Sequence, residues 1–231
     1  ERILSMNFYG LQKTTLLDYP GLVAATIFTG GCNFKCPYCH NYSLISPTIS
    51  NSIYSEDEIL SFLKHRSGIL KGVCITGGEP TLHNELPIFI KKVKSLSLKV
   101  KLDTNGSNPT MLKNLVNNNW IDYVAMDIKT SPNKYSQITN NPSVLSSVLE
   151  SVQFLKDSTI PYEFRTTIVK ELHSDDEILK IGHWLKGCNQ YFLQTYKDND
   201  EIPYLLHAHS EATMKHFSDI LKPFISNVFI R

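Results

Sequence analysis

The sequence predicts an α/β fold built on a mostly parallel β-sheet. Short runs rich in β-branched and aromatic residues recur along the chain, and each is followed by a stretch with apolar residues at helical spacing. Parallel strands need crossover connections, usually helices, so this alternation indicates right-handed β-α-β units. No linker, low-complexity tract or repeat divides the 231 residues, so we expect a single domain over 1–231 with its core at about residues 20–200.

Six strands are predicted, and the chemistry is expected where they end. Six units could close partly into a barrel or remain an open doubly wound sheet, and the periodicity agrees with both. In either arrangement functional residues gather at the carboxyl ends of the strands. The predicted strands are residues 22–28, 71–76, 98–103, 122–128, 162–169 and 190–195.

The predicted helices begin at capping signals. Ser55 and Glu58 have capping-box spacing, and so do Ser174 and Glu177. Three further helices are expected to begin where an asparagine precedes a proline, because such a side chain can cap the first backbone amides. These pairs are Asn84 with Pro87, Asn108 with Pro109 and Asn141 with Pro142, and a last amphipathic helix is predicted at Met214, Phe217, Leu221 and Phe224.

Charge and hydropathy exclude several classes of partner. Lys plus Arg number 23 and Asp plus Glu 22, so the net charge of +1 favours neither nucleic-acid binding nor a polybasic membrane patch. No apolar run approaches the roughly 20 residues that span a bilayer, and no signal peptide opens the chain. We therefore expect a cytoplasmic protein without nucleic-acid or membrane partners.

Three of the five cysteines crowd into one short segment. Cys32, Cys36 and Cys39 are separated by three and then two residues, which favours a metal centre over a disulfide framework. Thiolates suit iron-sulfur clusters, zinc or copper(I). A structural zinc site needs a fourth ligand, which would be His40, Cys74 or Cys188, and His40 is poorly placed because it directly follows Cys39. Three thiolates on a four-iron cluster instead leave one iron open to a substrate or cofactor.

Other polar residues fall at the predicted strand ends, and each also has a purely structural interpretation. A Gly-Gly pair can be a turn, a glutamate after it can be a helix cap, and Asp103 or Asn105 can make an Asx turn ahead of Gly106. Two charged residues two apart on a strand face the same way and can be an ion pair, and an arginine within a strand can be locked to a carboxylate. The candidates are Gly77, Gly78, Glu79, Asp103, Asp127, Lys129 and Arg165.

Several motifs together resemble one enzyme superfamily. The spacing of Cys32, Cys36 and Cys39, with Tyr38 before the third cysteine, resembles the signature of the radical S-adenosylmethionine (radical SAM) superfamily. The segment Tyr38-Cys39-His40-Asn41 is similar to that of glycyl-radical-enzyme activases, including pyruvate formate-lyase activating enzyme. With residues 10–14, 18–21 and 164–167 included, the chain most resembles activating proteins of anaerobic ribonucleoside-triphosphate reductase.

The resemblance implies a fold and an activity. It implies a partial (β/α)6 TIM-like barrel of the radical SAM type that holds a [4Fe-4S] cluster through Cys32, Cys36 and Cys39, with S-adenosylmethionine on the open iron. Reductive cleavage would give a 5′-deoxyadenosyl radical, which takes a hydrogen atom from a backbone glycine of a glycyl radical enzyme. The cluster and cofactor carry this chemistry, so no separate catalytic side chain is expected.

The resemblance also implies roles for the strand-end residues. Backbone carbonyls freed by glycine, and one aspartate, would meet the amino group of S-adenosylmethionine, and a second aspartate would meet its ribose. A lysine would meet its carboxylate and an arginine would lie near it. In the same order, these residues are Gly77 and Gly78, with Glu79 ranked below them, and then Asp103, Asp127, Lys129 and Arg165. The sixth-strand histidine of the formate-lyase activase is replaced here, with Gln194 or Lys197 as candidate substitutes.

Partners follow from the same resemblance, and three alternatives stay open. With no second cysteine cluster in the sequence, the electron is expected from a separate flavodoxin- or ferredoxin-type donor. Within the superfamily, the chain could activate another glycyl radical enzyme such as pyruvate formate-lyase, or act on a small molecule. Outside it, the chain could be a zinc-stabilised binding module.

Overall fold

The computed structural model describes residues 5–47, 53–197, 202 and 204–231, which fall into two compact units. The prediction of a single domain stays a prediction, and each unit is described by itself. The first unit comprises Glu1–Asn33, Ser43–Thr104 and Thr110–Val124, and the second comprises Phe34–Tyr42, Asn105–Pro109 and Ala125–Arg231.

The first unit is a five-stranded sheet flanked by helices. Its strand order is β3-β1-β2-β4-β5; β1 is antiparallel to both neighbours, and β2, β4 and β5 are parallel. The strands are β1 (Asn7–Thr15), β2 (Ala24–Thr29), β3 (Tyr54–Ser55), β4 (Gly72–Gly77) and β5 (Lys99–Thr104), and the helices are α1 (Glu56–Arg66), α2 (Leu86–Ser95) and, except for its first residue, α3 (Pro109–Asn117).

The second unit repeats the alternation of strand and helix. It contains the last three residues of β6 (Tyr123–Asp127), followed in the sheet by β7 (Tyr162–Ile168), β8 (Tyr191–Thr195) and β9 (Val228–Ile230). Strands β7, β8 and β9 are parallel. The helices are α4 (Tyr135–Thr139), α5 (Leu145–Asp157), α6 (Asp175–Trp184) and α7 (Glu211–Leu221).

These elements confirm the α/β class with a mostly parallel sheet. All six predicted strands are present, as β2 and β4 to β8, and each boundary lies within two residues of the prediction. Strands β1, β3 and β9 were not predicted. No helix in the described ranges is long and apolar enough to cross a membrane.

Two helix starts agree with the capping signals. Ser55 caps α1 with the full capping box, in which its hydroxyl accepts from the Glu58 amide and the Glu58 carboxylate accepts from the Ser55 amide. Helix α3 begins at Pro109, as the Asn-Pro pair predicts. Each of these two helix starts could be predicted from at most four consecutive residues.

Two other helix starts were predicted wrongly. Helix α2 is preceded by Glu85 rather than capped by Asn84, although Pro87 does lie in its first turn. Helix α5 begins at Leu145 rather than Pro142, because the Asn141 side chain accepts from the Ser143 amide and closes a local turn.

The capping box at α6 is also absent, although Ser174 does precede the helix. The Ser174 side chain makes no cap bond, because the carboxylate of Glu177 is engaged elsewhere. It accepts from the hydroxyls of Ser131, at 2.6 Å, and Thr130, at 3.3 Å. A tertiary contact has therefore replaced the local one. Helix α7 ends at Leu221, before Phe224, which was predicted to extend its apolar face.

Candidate active site

The paired glycines lie where two backbone segments of the first unit cross. The Gly78 amide donates to the Thr29 carbonyl at 2.8 Å, and the Glu79 amide donates to the Gly31 carbonyl at 2.7 Å. A Cβ on Gly78 would lie 2.0 Å from the Gly31 oxygen, and one on Gly77, whose φ is +113°, would lie 2.3 Å from the Thr29 oxygen. Glycine is thus required here by the fold itself, and its contact with a cofactor stays a prediction.

Glu79 is buried and fully engaged in shaping the same loop. Its Oε1 accepts from the Thr81 amide at 3.1 Å, the Thr81 hydroxyl at 2.5 Å and the Thr104 hydroxyl at 2.7 Å. It thereby caps the short 3₁₀ helix Pro80–Leu82 and joins it to the end of β5. The capping interpretation of Glu79 is therefore what the structure shows.

Asp103 stands at the end of β5 in a buried polar cluster. The ammonium of Lys101, two residues earlier on the same face, contacts Asp103 Oδ1, and the Cys74 thiol donates to the same oxygen at 3.4 Å. The predicted Asx turn is made by Asn105, whose Oδ1 accepts from the Ser107 amide at 2.9 Å. Sequence reasoning missed Lys101, although strand alternation with Asp103 was a usable signal.

The cysteine segment is divided between the two units. In the first unit, the Cys32 amide donates to the Ile45 carbonyl at 3.1 Å. In the second, the Cys39 amide donates to the Cys36 carbonyl at 3.2 Å, so Cys36 and Cys39 lie on one turn. No disulfide joins any of the five cysteines. Across residues 5–47, 53–197, 202 and 204–231, no three His, Cys, Asp or Glu side chains gather as ligands of a single metal ion.

The turn carrying Cys36 and Cys39 has surroundings that suit an iron-sulfur cluster. Burial raises the pKa of the Cys39 thiol, and the nearby positive charge of Lys129 opposes that rise. The same lysine charge interacts with Cys36. Soft sulfur donors beside a half-buried cation match what an anionic cluster needs. That all three cysteines ligate stays a prediction from their spacing.

Asp127 is the centre of a three-residue charge cluster at the end of β6. Lys129 Nζ lies 2.9 Å from its Oδ2, and Arg165 Nε contacts its Oδ1. Burial opposes ionisation of Asp127, but the adjacent Arg165 and Lys129 charges outweigh burial and hold the pKa of the carboxyl well below its usual range. The side chains remain 14–26% exposed, so the cluster is accessible to a ligand. The predicted side-by-side placement of Asp127 and Lys129 is observed.

Three hydrogen bonds hold the backbone of Lys129. Its carbonyl accepts from the Tyr38 hydroxyl at 2.6 Å and from His173 Nε2 at 3.2 Å, and its amide donates to the Tyr135 hydroxyl at 3.3 Å. Burial raises the pKa of Tyr38 well above its usual range, so its phenol stays a donor. Tyr38 lies between Cys36 and Cys39, and its bond therefore joins the cysteine turn to the Asp127 cluster.

His173 is expected to make the protein less stable in mild acid. The Val169 amide donates to its Nδ1 at 3.0 Å, and burial lowers its pKa to about 4, so the ring is neutral in the folded protein. The unfolded chain binds this proton below about pH 6.5 and the folded chain only below about pH 4, so stability falls as the pH drops between those values. The expected loss is about 3 kcal/mol.

Urea unfolding of the iron-free protein at pH 7, 5.5 and 4 measures this loss. His173→Gln keeps a donor towards Lys129 but cannot be protonated, so its stability should change about 3 kcal/mol less over the same interval. Equal pH dependence in the two proteins would show that His173 is not the responsible group.

Gln194 and Lys197, the candidate substitutes for the sixth-strand histidine, lie at and just after the end of β8. His207 and His209 are engaged with Glu171 and with the His173 carbonyl. Gln194 lies partly exposed near the end of β8, and the Lys197 backbone hydrogen-bonds His40. The substitution of Gln194 or Lys197 for the histidine stays a prediction.

Comparison with known proteins gives the family. Residues 26–185 match the model of the radical SAM superfamily. A protein of Methanocaldococcus jannaschii, provisionally assigned as a glycyl-radical enzyme activating enzyme, is 31% identical over 96% of this chain and 94% of its own length. The 7-carboxy-7-deazaguanine synthase of Clostridium acetobutylicum is 30% identical over 68% of this chain and 70% of that one.

A solved structure agrees on the fold. A radical SAM methyltransferase from Sphaerobacter thermophilus superposes with a TM-score of 0.71 at 14% identity, over 92% of this chain and 67% of that one. Radical SAM enzymes use a [4Fe-4S] cluster and S-adenosylmethionine, and the soft donors of the cysteine turn fit that cluster. The chain is accordingly an enzyme of the radical SAM superfamily.

Proposed function

We propose that this enzyme installs a glycyl radical on anaerobic ribonucleoside-triphosphate reductase. The observation that carries the proposal is the match, along nearly the whole of both chains, to the Methanocaldococcus jannaschii relative provisionally assigned as a glycyl-radical enzyme activating enzyme. The segment Tyr38-Cys39-His40-Asn41, together with residues 10–14, 18–21 and 164–167, supports the choice of the reductase as the partner.

In this proposal Cys32, Cys36 and Cys39 hold the [4Fe-4S] cluster. When bound, the cluster supplies the electron for cleavage of S-adenosylmethionine to methionine and a 5′-deoxyadenosyl radical, which takes a hydrogen atom from the partner's glycine and leaves as 5′-deoxyadenosine. The protein's own contribution is to orient the cofactor and to keep the turn of Cys36 and Cys39 in place through Tyr38.

The strand-end residues would bind the cofactor's polar groups. Asp103 would accept from the amino group, beside the half-buried backbone of Gly77 and Gly78. Asp127 stays ionised beside its two cations, which suits it to accept hydrogen bonds from the ribose hydroxyls. Lys129 would face the carboxylate of the cofactor, and Arg165 would hold Asp127 in position when Lys129 turns to that carboxylate.

Electron paramagnetic resonance tests the proposal. Anaerobically reconstituted protein, reduced and supplied with S-adenosylmethionine, is mixed with anaerobic ribonucleoside-triphosphate reductase or with pyruvate formate-lyase. A glycyl radical doublet is expected with the reductase, and none with a reductase variant whose radical-site glycine is alanine. A doublet with pyruvate formate-lyase alone would reassign the partner.

Similarity to a 7-carboxy-7-deazaguanine synthase favours a second candidate, a small-molecule radical SAM enzyme. This candidate predicts S-adenosylmethionine cleavage that is stimulated by a small substrate, with no radical on either protein partner. The third alternative, a zinc-stabilised binding module, is wrong because the family match identifies an enzyme.

We further propose a separate flavodoxin- or ferredoxin-type electron donor, and no nucleic-acid or membrane partner, for this activity in the cytoplasm. The two cysteines outside the triplet support a separate donor. Cys74 and Cys188 are both buried and lie far apart in sequence, on β4 and after α6. They do not resemble the clustered ligands of a second iron-sulfur centre.

A further inference from the structure

A lysine is buried in the middle of the first unit's parallel strands. Lys101 lies on β5 between Val100 and Leu102, and its side chain is only 2% exposed. Burial of an ammonium group costs several kcal/mol unless a partner compensates it. Burial of Lys101 therefore costs free energy that burial of the neighbouring apolar residues does not.

The sheet register places a partner on each side of this ammonium. Cys74 on β4 is directly opposite Lys101 in the parallel pair, and Lys101 Nζ lies 3.8 Å from the Cys74 Sγ. Along β5, Asp103 lies on the same face, and its Oδ1 contacts the Lys101 ammonium. The Cys74 thiol donates to that same Oδ1 at 3.4 Å. Asp103 Oδ1 thus accepts from Lys101 on β5 and from Cys74 on β4.

This arrangement fixes the carboxylate in space. A carboxylate at a strand end can rotate about its terminal torsion, which has a broad energy profile. Two donors to Oδ1 from neighbouring strands restrict that rotation. A buried, charge-assisted contact restricts it more strongly than an exposed one. We propose that Lys101, assisted by Cys74, is the positioning residue that orients Asp103 towards the amino group of S-adenosylmethionine.

The inference rests on the proposed function, in which Asp103 binds that amino group. Lys101 contacts Asp103 and Cys74, so it can act on the cofactor through Asp103. Any effect of Lys101 on cofactor binding should therefore disappear once the Asp103 carboxylate is removed.

A double-mutant cycle tests this dependence. The variants are Lys101→Met, Asp103→Asn and the two combined, each loaded with cluster and checked for iron content. The dissociation constant of S-adenosylmethionine is measured by equilibrium dialysis, and the melting temperature is recorded alongside. Lys99→Met is the matched control, because Lys99 is an exposed lysine on the same strand.

Asp103→Asn and Lys101→Met are each expected to weaken binding about tenfold or more, the range for losing a charged hydrogen bond. The double variant should be no weaker than Asp103→Asn, and Lys99→Met should match the parent. Additive losses, or unchanged affinity in Lys101→Met beside a weakened Asp103→Asn, would overturn the inference. Unchanged affinity in Asp103→Asn would instead overturn the role of Asp103 in the proposed function.

A milder variant covers the case in which Lys101→Met does not fold. Cys74→Ala removes one donor to Oδ1 and leaves the ion pair, so the protein should fold and bind S-adenosylmethionine about threefold more weakly. Unchanged affinity in Cys74→Ala would contradict the claim that contacts on Oδ1 orient the carboxylate.

Discussion

Cys36→Ala is expected to abolish production of 5′-deoxyadenosine. The side chain is buried on the turn that also carries Cys39, and alanine has no sulfur to donate to the cluster. Even outer contacts of metal sites are worth about 10–100-fold, so the loss of a proposed ligand should exceed about 100-fold. The measurement is chromatography of the nucleoside after reduction and addition of S-adenosylmethionine.

Cys188→Ala supplies the matched control for this experiment. Cys188 is also buried in the second unit, and burial raises the pKa of its thiol to about 12, so it is an inert side chain. Iron content and 5′-deoxyadenosine should both stay near the parent level in this variant. Nucleoside production that survives in Cys36→Ala would mean that the cysteine segment does not hold the cluster.

Gly78→Ala is expected to destabilise the first unit strongly. The new methyl group would lie 2.0 Å from the carbonyl oxygen of Gly31 and 2.7 Å from its carbon, and neither is a flexible side chain that can turn away. Overpacking of this kind costs about 1–3 kcal/mol, and rigid backbone on both sides places this site at about 3 kcal/mol. Urea unfolding of the parent and variant measures the change.

Gly68→Ala is the control for the glycine substitution. A Cβ on Gly68 meets nothing within 4 Å, so its unfolding free energy should stay within about 0.5 kcal/mol of the parent. Because Gly31 directly precedes Cys32, Gly78→Ala should also lower the iron that the protein retains. Equal stability of the two variants would show that the crossing of the two backbones is looser than the structure indicates.

The sequence predicted the interior strands because their signal is contained in their own residues. Strand β4, for example, is a run of apolar and β-branched residues bounded by glycines, and that pattern needs no knowledge of the neighbours. Strand β1 carries exposed polar residues and β3 is two residues long, so their pairing depends on partners that local sequence does not reveal.

The same division between local and tertiary information explains the candidate site. The cysteine spacing could be recognised in the sequence because the three cysteines lie within a few residues of each other. The same holds for the charge pair of Asp127 and Lys129. The Lys101 cluster was missed because Cys74 reaches it from another strand, 27 residues earlier in the chain. The predicted cap at Glu177 failed for a similar reason, since residues 46 and 47 positions away captured its carboxylate.

The bond between Tyr38 and the Lys129 carbonyl has a consequence for biosynthesis. Its two ends are 91 residues apart, and Lys35 likewise donates to the Thr139 carbonyl. At a synthesis rate of about 5–20 residues per second, the cysteine turn leaves the ribosome about 5–20 s before its docking surface exists. The thiols of Cys36 and Cys39 therefore cannot reach their final geometry on the growing chain until that later segment has emerged. Iron delivery to the finished site is a late event in the maturation of this protein.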